Sequence, residues 1–220
     1  MPSPFEFEST KQLRKKLGSS EVKKEYRSFF LRRFEIDELI EESVGVNTIR
    51  AFHHRTYGVK IGPLKLYREL AKRFLEKESK NWRKIRTREV MHEFILKQAE
   101  RLRKDWLKRT KREGFDGYDI GIGRAAKLLN LLLKHLTLWS DLSDMERKRL
   151  KPLLEVPLDS YTLLGMRRLC TSTKIPKTAS MGFVRRKEQY IKLQNAIFEL
   201  CHPDYYPAHY EIAAWNASHG

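Results

Sequence analysis

One segment of the chain constrains the fold more than any other: residues 124–139 are apolar around most of a helical circumference. A helix of this kind normally lies at the centre of its domain, because most of its surface must be covered. Its polar side chains Lys127, Asn130 and Lys134 are spaced at i, i+3 and i+7 and therefore form one stripe. The pattern predicts a central helix whose polar stripe faces water, an anion or a pocket.

Helical periodicity also dominates the rest of the chain. Apolar residues recur at helical spacing in six segments, which are residues 22–40, 64–75, 90–107, 124–139, 160–169 and 183–200. Few segments alternate as a strand would, so the sequence predicts an all-α fold. A length of 220 residues suffices for one ordinary domain or for two small helical lobes that share a cleft. Residues 1–220 are expected to form a single domain of this kind.

Lysine is unusual on so apolar a helix, because burying an unpaired ammonium group is strongly unfavourable. Each lysine must reach solvent, meet a carboxylate, or have its pKa lowered in a pocket. A lysine of the last kind is a nucleophile. Lys127 is the candidate for that role, and the alternative is that the stripe is the solvent-exposed side of an amphipathic helix.

Asp159 ends a Val-Pro-Leu-Asp segment and precedes the helical segment 160–169, so it stands where an N-cap residue belongs. A carboxylate at this position accepts backbone N–H groups and meets the positive end of the helix dipole, which keep it ionised and oriented. In the cleavage of an N-glycosidic bond, such a group can stabilise the cationic sugar that develops as the base leaves. It can also deprotonate a lysine or a water molecule that attacks the sugar. An ordinary helix cap is the alternative.

A Gly-Ile-Gly-Arg turn, residues 121–124, precedes the apolar helix. Glycines let the backbone approach a ligand closely, and N–H groups at a helix N-terminus attract an oxyanion. Gly121 and Gly123 are therefore candidate phosphate contacts, and Arg124 is a candidate charged contact. A dinucleotide-binding fingerprint is excluded, because it needs a preceding strand and a third glycine where Ala126 stands.

The composition indicates a polyanionic partner. There are 45 Lys and Arg against 28 Asp and Glu, with a formal net charge of +17 and a pI near 9.9. The excess is concentrated in residues 61–112, which hold 18 basic and 7 acidic side chains. Within this segment, residues 80–88 and 101–112 interleave cations with Trp82 and Trp106, as phosphate-tracking surfaces do. The alternative is a solvated helix face with both tryptophans in the core.

Three features follow one another along the chain: the glycine-rich turn at residues 121–124, which we call the hairpin, the apolar helix that carries Lys127, and Asp159, which closely follows a proline. In this order they resemble the helix-hairpin-helix DNA glycosylase superfamily. Its members carry a glycine-rich hairpin, a catalytic lysine in the following helix, and an aspartate introduced by a Val-Pro-x-Asp or Val-Asp segment. Lys127 and the segment 156–159 match this pattern. The 32-residue step from Lys127 to Asp159, with a second lysine, Lys134, two turns after the first, is similar to the archaeal-type 8-oxoguanine DNA glycosylases.

This resemblance implies an enzyme that flips a damaged or modified base out of double-stranded DNA and excises it, with 8-oxoguanine as a candidate base. Lys127 would attack the sugar and form a Schiff base, which adds AP-lyase strand cleavage, and Asp159 would activate the lysine. The DNA would be held by Gly121, Gly123, Arg124 and Lys134. The resemblance also implies two helical lobes, with the lysine and the aspartate at the cleft between them.

The chain departs from the commoner members of the superfamily at one position. In those members the lysine stands two residues after the second hairpin glycine, and that position here is Ala125. With the sequence aligned in this way, Lys127 would not be the nucleophile. The protein would then be a monofunctional glycosylase in which Asp159 activates water, or it would lack catalytic activity. The spacing to Asp159 and the polar stripe favour Lys127 as the nucleophile. Two further alternatives are a non-catalytic DNA-binding helix-hairpin-helix module and a protein-interaction domain.

No cofactor or metal is expected. Only Cys170 and Cys201 are present, which excludes a disulfide framework and the four-cysteine iron–sulfur cluster of some superfamily members. Neither a membrane-spanning apolar run nor a signal peptide is visible, so we expect no membrane partner. We expect an intracellular monomer that is cytoplasmic and nucleoid-associated or, in a eukaryote, nuclear. The aromatic segment 201–215 is expected either to line a base pocket or to cap a core.

Overall fold

Regular structure in this protein is helical wherever the computed structural model describes the chain, which is at residues 4–43, 63–112 and 119–219. Within these ranges the one β-type pairing is an isolated parallel bridge between Phe34 and Trp139. The predicted all-α class is therefore confirmed. In chain order, the α-helices of these ranges are α1 (Thr10–Leu17), α2 (Ser20–Leu31), α3 (Ile36–Ser43), α4 (Pro63–Lys77), α5 (Ser79–Arg83), α6 (Arg88–Arg112), α7 (Gly121–Leu136), α8 (Asp144–Leu150), α9 (Ser160–Gly165), α10 (Lys187–Cys201) and α11 (Pro207–His219).

The chain divides into two compact units. Unit 1 combines two separate segments, Met1–Arg32 and Leu154–Gly220, whereas unit 2 is the continuous segment Arg33–Leu153. The chain thus begins in unit 1, leaves it to form unit 2, and returns to complete unit 1. Lys127 belongs to unit 2 and Asp159 belongs to unit 1.

Unit 1 is organised around its last helix, α11. This helix packs against α1, α2, α9 and α10, so elements from both segments of the unit meet on it. It begins at Pro207, because the fixed φ of proline suits the first helical turn and its missing N–H is not needed there. Ala213 and Ala214 are fully buried and small, which lets neighbouring helices approach closely.

Unit 2 is organised around α7, the apolar helix. Eleven of its sixteen residues are buried, and it packs against α6 and α3. The predicted central position of this helix within its unit is therefore confirmed. Helices α6 and α7 are consecutive and form a packed pair, and residues 113–118 of the connection between them lie outside the described residues.

The single helix predicted over residues 22–40 is wrong, because the structure has two helices there. The chain becomes extended at Arg32 (φ −63°, ψ 150°), between α2 and α3. A backbone pairing causes the break: Phe34 N–H donates to Leu138 O, and Ser140 N–H donates to Phe34 O, each at 3.0 Å. A residue whose N–H and C=O are both used in this way cannot continue a helix.

Helices α9 and α11 approach closely at Gly165. A Cβ atom there would lie 2.8 Å from the Tyr210 hydroxyl oxygen and 3.4 Å from the Ala214 Cβ. Tyr210 is fully buried, and its hydroxyl donates to Thr162 O at 2.6 Å, so it has little room to move. We expect Gly165→Ala to lower the free energy of unfolding by about 1–3 kcal/mol through overpacking, as measured by denaturant unfolding.

The background Tyr210→Phe provides the control for this substitution. Removing the hydroxyl relieves the shortest contact, so Gly165→Ala should cost at least about 0.5 kcal/mol less in that background than in the wild type. Equal costs in the two backgrounds would show that the hydroxyl contact is not the cause.

Candidate active site

Helix α7 begins at Gly121, whose φ is +73°. Residues with a Cβ rarely adopt this conformation, so the position favours glycine even though open space surrounds it. The predicted Gly-Ile-Gly-Arg turn is thus the first turn of the helix, which starts three residues earlier than the apolar spacing predicts. Gly123 is buried within this turn.

Asp119 and Arg103 fix the entry into α7. Asp119, which precedes the N-cap residue Ile120, accepts the Gly121 N–H on its Oδ1 at 2.8 Å and so satisfies the first N–H group of the helix. Arg103, on α6, donates to both carboxylate oxygens, from Nε at 3.0 Å and from Nη2 at 2.6 Å. The hydrogen bond from Arg103 lowers the pKa of the Asp119 carboxyl, and the Gly121 N–H lowers it further, against the opposing effect of burial.

This hydrogen bond bears on the phosphate contacts predicted for the hairpin. Because the Gly121 N–H points at the Asp119 carboxylate, a phosphate would have to displace that carboxylate to reach it. Arg124 Nη1 donates to Ile120 O at 3.2 Å within the same turn. Contacts of Gly121, Gly123 and Arg124 with DNA stay predictions.

Asp119→Asn is expected to destabilise the protein by up to about 1 kcal/mol at neutral pH. Asparagine keeps an acceptor for the Gly121 N–H but loses the charge paired with Arg103. In the wild type the carboxyl has a lowered folded-state pKa, so its stabilisation is present above the unfolded value of about 3.9 and is lost as the pH falls through the lower folded value. Denaturant unfolding should therefore show the two proteins converging in stability as the pH is lowered toward about 3.

Asp141→Asn is the matched control for this change, since Asp141 is an exposed carboxylate of the same unit. It should leave stability unchanged at either pH. If the Asp119 variant stayed equally destabilised at low pH, geometry rather than charge would explain its effect.

The polar stripe of α7 is buried at its first two positions. Lys127 is 7% exposed and Asn130 is 1% exposed, while Lys134 is half-buried. The alternative that the stripe is the solvent face of an amphipathic helix is therefore wrong for Lys127 and Asn130. All three residues have interaction partners in the folded protein, as the burial of polar groups requires.

Asp159 is the N-cap of α9, as the sequence predicts. Its Oδ1 accepts the N–H groups of Tyr161 at 3.1 Å and Thr162 at 3.2 Å. The Thr162 hydroxyl returns the interaction, accepting the Asp159 N–H at 3.0 Å and donating to Pro157 O at 2.6 Å. This reciprocal capping box holds the half-buried carboxylate in one orientation.

The segment that leads to Asp159 is held by α10. Gln194 Nε2 donates to Val156 O at 2.8 Å, and Gln194 Oε1 accepts the Val156 N–H at 3.2 Å. One position earlier, Glu155 accepts a buried hydrogen bond from the Tyr190 hydroxyl. These side chains position the aspartate, and sequence reasoning missed them, because they act across 35 and 38 positions of the chain and carry no local signal.

An aromatic cluster of Tyr161, Trp215 and His219 follows directly on this cap. The ring centroids of Tyr161 and Trp215 are 5.0 Å apart, and Trp215 stacks on His219 at 4.0 Å. Trp215 is 42% exposed, whereas Tyr210, in the same segment 201–215, is fully buried. The segment therefore caps the core of unit 1 and also exposes two large rings, those of Tyr206 and Trp215.

Trp82 and Trp106 are fully buried. They are core residues and cannot stack on bases, so the prediction that aromatic rings line the basic surface is wrong for the segments 80–88 and 101–112. Cations of the same segments, such as Arg86 and Lys104, are exposed.

Among the described residues, no group of three or more His, Cys, Asp or Glu side chains is arranged to hold a metal ion. In the parts of the chain that the structure describes, no helix is long and apolar enough to cross a membrane. Comparison of the chain with protein-family models, curated proteins and solved structures finds no match. The resemblance to the glycosylase superfamily therefore rests on the quoted residues alone.

Proposed function

We propose that the protein is a DNA glycosylase that excises a damaged or modified base from double-stranded DNA, with Lys127 as nucleophile and Asp159 as its activator. The burial of Lys127 carries this proposal. Lysine is rarely buried, because removing its ammonium group from water is costly, and the buried position of Lys127 places its amine where water is largely excluded. Lys127 is buried on α7, whose first turn is the Gly-Ile-Gly-Arg segment, and the superfamily that the chain resembles has its nucleophile on the corresponding helix.

The proposed reaction is a displacement at the sugar. The Lys127 amine, deprotonated by Asp159, forms a bond to C1′ while the C1′–N glycosidic bond breaks. The base departs with the electron pair of that bond and is protonated by solvent. The C1′–O4′ bond then breaks, O4′ takes up a proton from solvent, and the amine becomes a Schiff base with C1′. Loss of a C2′ proton to water, together with the C3′–O bond, forms a C2′–C3′ double bond and cleaves the strand at the 3′ phosphate. Once the proton that it accepted has passed to solvent, the ionised Asp159 also stabilises the cationic sugar of the transition state.

The capping geometry supports the role of Asp159. Two backbone N–H groups and the Thr162 hydroxyl fix this residue, and Gln194 fixes the segment before it. A carboxylate oriented before the substrate binds needs little reorganisation during the reaction, which is how charged groups contribute most to catalysis. Trp215, in the aromatic cluster beside the cap, offers an exposed ring on which a flipped base can stack.

The proposal requires Lys127 and Asp159 to act on one nucleotide. The net charge of +17 supports DNA as the partner, because a polyanion is the natural counterpart of so basic a chain.

A non-catalytic DNA-binding module is the second candidate. One observation favours it: Ala125 stands where commoner superfamily members have their lysine. Such a protein would bind DNA with strong salt dependence and would leave the bases in place.

Borohydride trapping distinguishes the candidates. The purified protein is incubated with duplexes that each carry one abasic site, oxidised purine, alkylated purine or modified cytosine. A covalent adduct on a duplex with an intact modified base supports a Schiff-base glycosylase and identifies that base. Abasic sites without an adduct indicate attack by water through Asp159, and DNA binding with neither product favours the binding module.

A further inference from the structure

A groove with a volume of about 390 Å³ lies between α4 and α6 in unit 2. Leu70 and Phe74 form its floor, and both are buried. The charged side chains along it are five cations and two acids, so its lining is strongly positive. The five cations are Arg73, Lys77, Arg101, Lys104 and Lys108.

Both acids of this groove are held by arginines. Arg73 Nη1 lies 2.8 Å from Asp105 Oδ2, and Arg101 is paired with Glu78. The pairs connect α4, and the residue after it, to α6 across the groove. The two arginines are thereby neutralised, and the positive excess resides on the lysines.

The lysines of the groove have no comparable partner. Among the described residues, Lys77, Lys104 and Lys108 make no hydrogen bond or ion pair through their side chains, and all three are exposed. Lys104 and Lys108 are one helical turn apart on α6, with about 6 Å between their Cβ atoms, and Lys77 ends α4. Like charges at this spacing repel each other, and an anion bound between them relieves that repulsion.

We propose that these three lysines form a lysine groove that binds the phosphate backbone of double-stranded DNA without regard to base sequence. Ammonium groups contact phosphates as point charges, and base stacking is excluded here because Phe74 and Trp106 are buried. The inference rests on the DNA partner of the proposed function and is independent of the chemistry of Lys127.

The lysine groove also gives the backbone a binding surface other than the hairpin. At the hairpin, the Gly121 N–H is already used by the Asp119 carboxylate. In the groove, the competing carboxylates are used by arginines, so the lysines are available to a phosphate.

The test is the salt dependence of DNA binding by the triple variant Lys77→Gln, Lys104→Gln, Lys108→Gln. Affinity for an undamaged duplex is measured by fluorescence anisotropy at a series of salt concentrations. Each phosphate contact contributes about 0.9 to the slope of log K against log salt concentration, so three lost contacts lower the slope by about 2.7. Between 50 and 200 mM salt, the variant should then lose about 40-fold less affinity than the wild type.

The triple variant Lys174→Gln, Lys177→Gln, Lys192→Gln is the matched control. It removes the same charge from exposed lysines of unit 1 that make no ion pair with described residues. Its slope should stay close to that of the wild type, and both variants should keep the wild-type thermal midpoint. Equal slopes for the two triple variants would overturn the groove assignment.

Two further outcomes separate this inference from the proposed function. If the wild type gives neither an adduct nor an abasic site on any duplex but the slope difference is found, the groove stands and the glycosylase proposal fails. If the wild type traps an adduct but the groove variant behaves like its control, the glycosylase proposal stands and the groove assignment fails. A slope difference on single strands alone, where each contact contributes about 0.7, would overturn the assignment to duplex DNA.

Discussion

Lys127→Gln is expected to lower the yield of borohydride-trapped adduct by roughly 1,000-fold or more, on whichever duplex the wild type attacks. A glutamine amide is not nucleophilic at C1′ and cannot form a Schiff base, while its length and polarity remain close to those of lysine. The readout is the covalent protein–DNA band after reduction, together with strand nicking in the absence of borohydride. DNA binding should persist, because one buried residue contributes little to backbone affinity.

Lys148→Gln is the control, because Lys148 is an exposed lysine of the same unit to which no role is assigned. It should keep most of the adduct yield. Lys127→Arg adds a second control that retains the positive charge but is not expected to form a Schiff base, so it should fail as completely as Lys127→Gln. Full adduct yield from a folded Lys127→Gln protein would assign the nucleophile to another residue.

Asp159→Asn is expected to slow base excision by about 10²- to 10⁴-fold while leaving the fold intact. Asparagine is as good an N-cap as aspartate, so the N–H groups of Tyr161 and Thr162 keep their acceptor. The free energy of unfolding should therefore change by less than about 1 kcal/mol. Single-turnover excision rates and denaturant unfolding of the same preparation measure both effects.

Comparison with Asp159→Ala separates catalysis from capping. Alanine removes both the charge and the cap, so it should slow excision as asparagine does and also destabilise the protein by about 0.5–2 kcal/mol. If Asp159→Asn kept the wild-type rate, the residue would be an ordinary cap and the proposed mechanism would lose its activator.

Local patterns in the sequence predict the parts of this protein that depend on local physics. The apolar spacing of residues 124–139 predicts the central helix of unit 2, and the position of Asp159 before a helical segment predicts its cap. The start of α8 also has a local signal in the sequence. Ser143 and Glu146 form a capping box there, with the spacing that such boxes require.

Features that depend on distant contacts could not be predicted from spacing. The apolar periodicity of residues 22–40 continues through the break between α2 and α3, because the cause of that break is the backbone at Leu138 and Ser140. Similarly, Gln194 is unremarkable in its own helix, and its importance appears only when it binds both backbone groups of Val156.

The basic segments combine two patterns, the interleaving of cations with tryptophans and the helical spacing of the buried residues, and only the second predicts the structure. The interleaving of cations and tryptophans in residues 101–112 predicted a phosphate-tracking surface with aromatic rings. Leu102, Trp106 and Thr110 are spaced one turn apart and are all buried, so this spacing marks the core face of α6. The same rule places Lys104 and Lys108 on a different face, which is the one that the lysine groove uses.

The division of unit 1 between two segments of the chain has a consequence for biosynthesis. Helices α1 and α2 emerge from the ribosome early, but α11, against which both pack, is not made until residues 207–219 are translated. At typical elongation rates this interval is roughly 10–40 s. During that time the apolar faces of α1 and α2 lack their partner and are open to chaperones and proteases, whereas unit 2 is continuous and can be completed first.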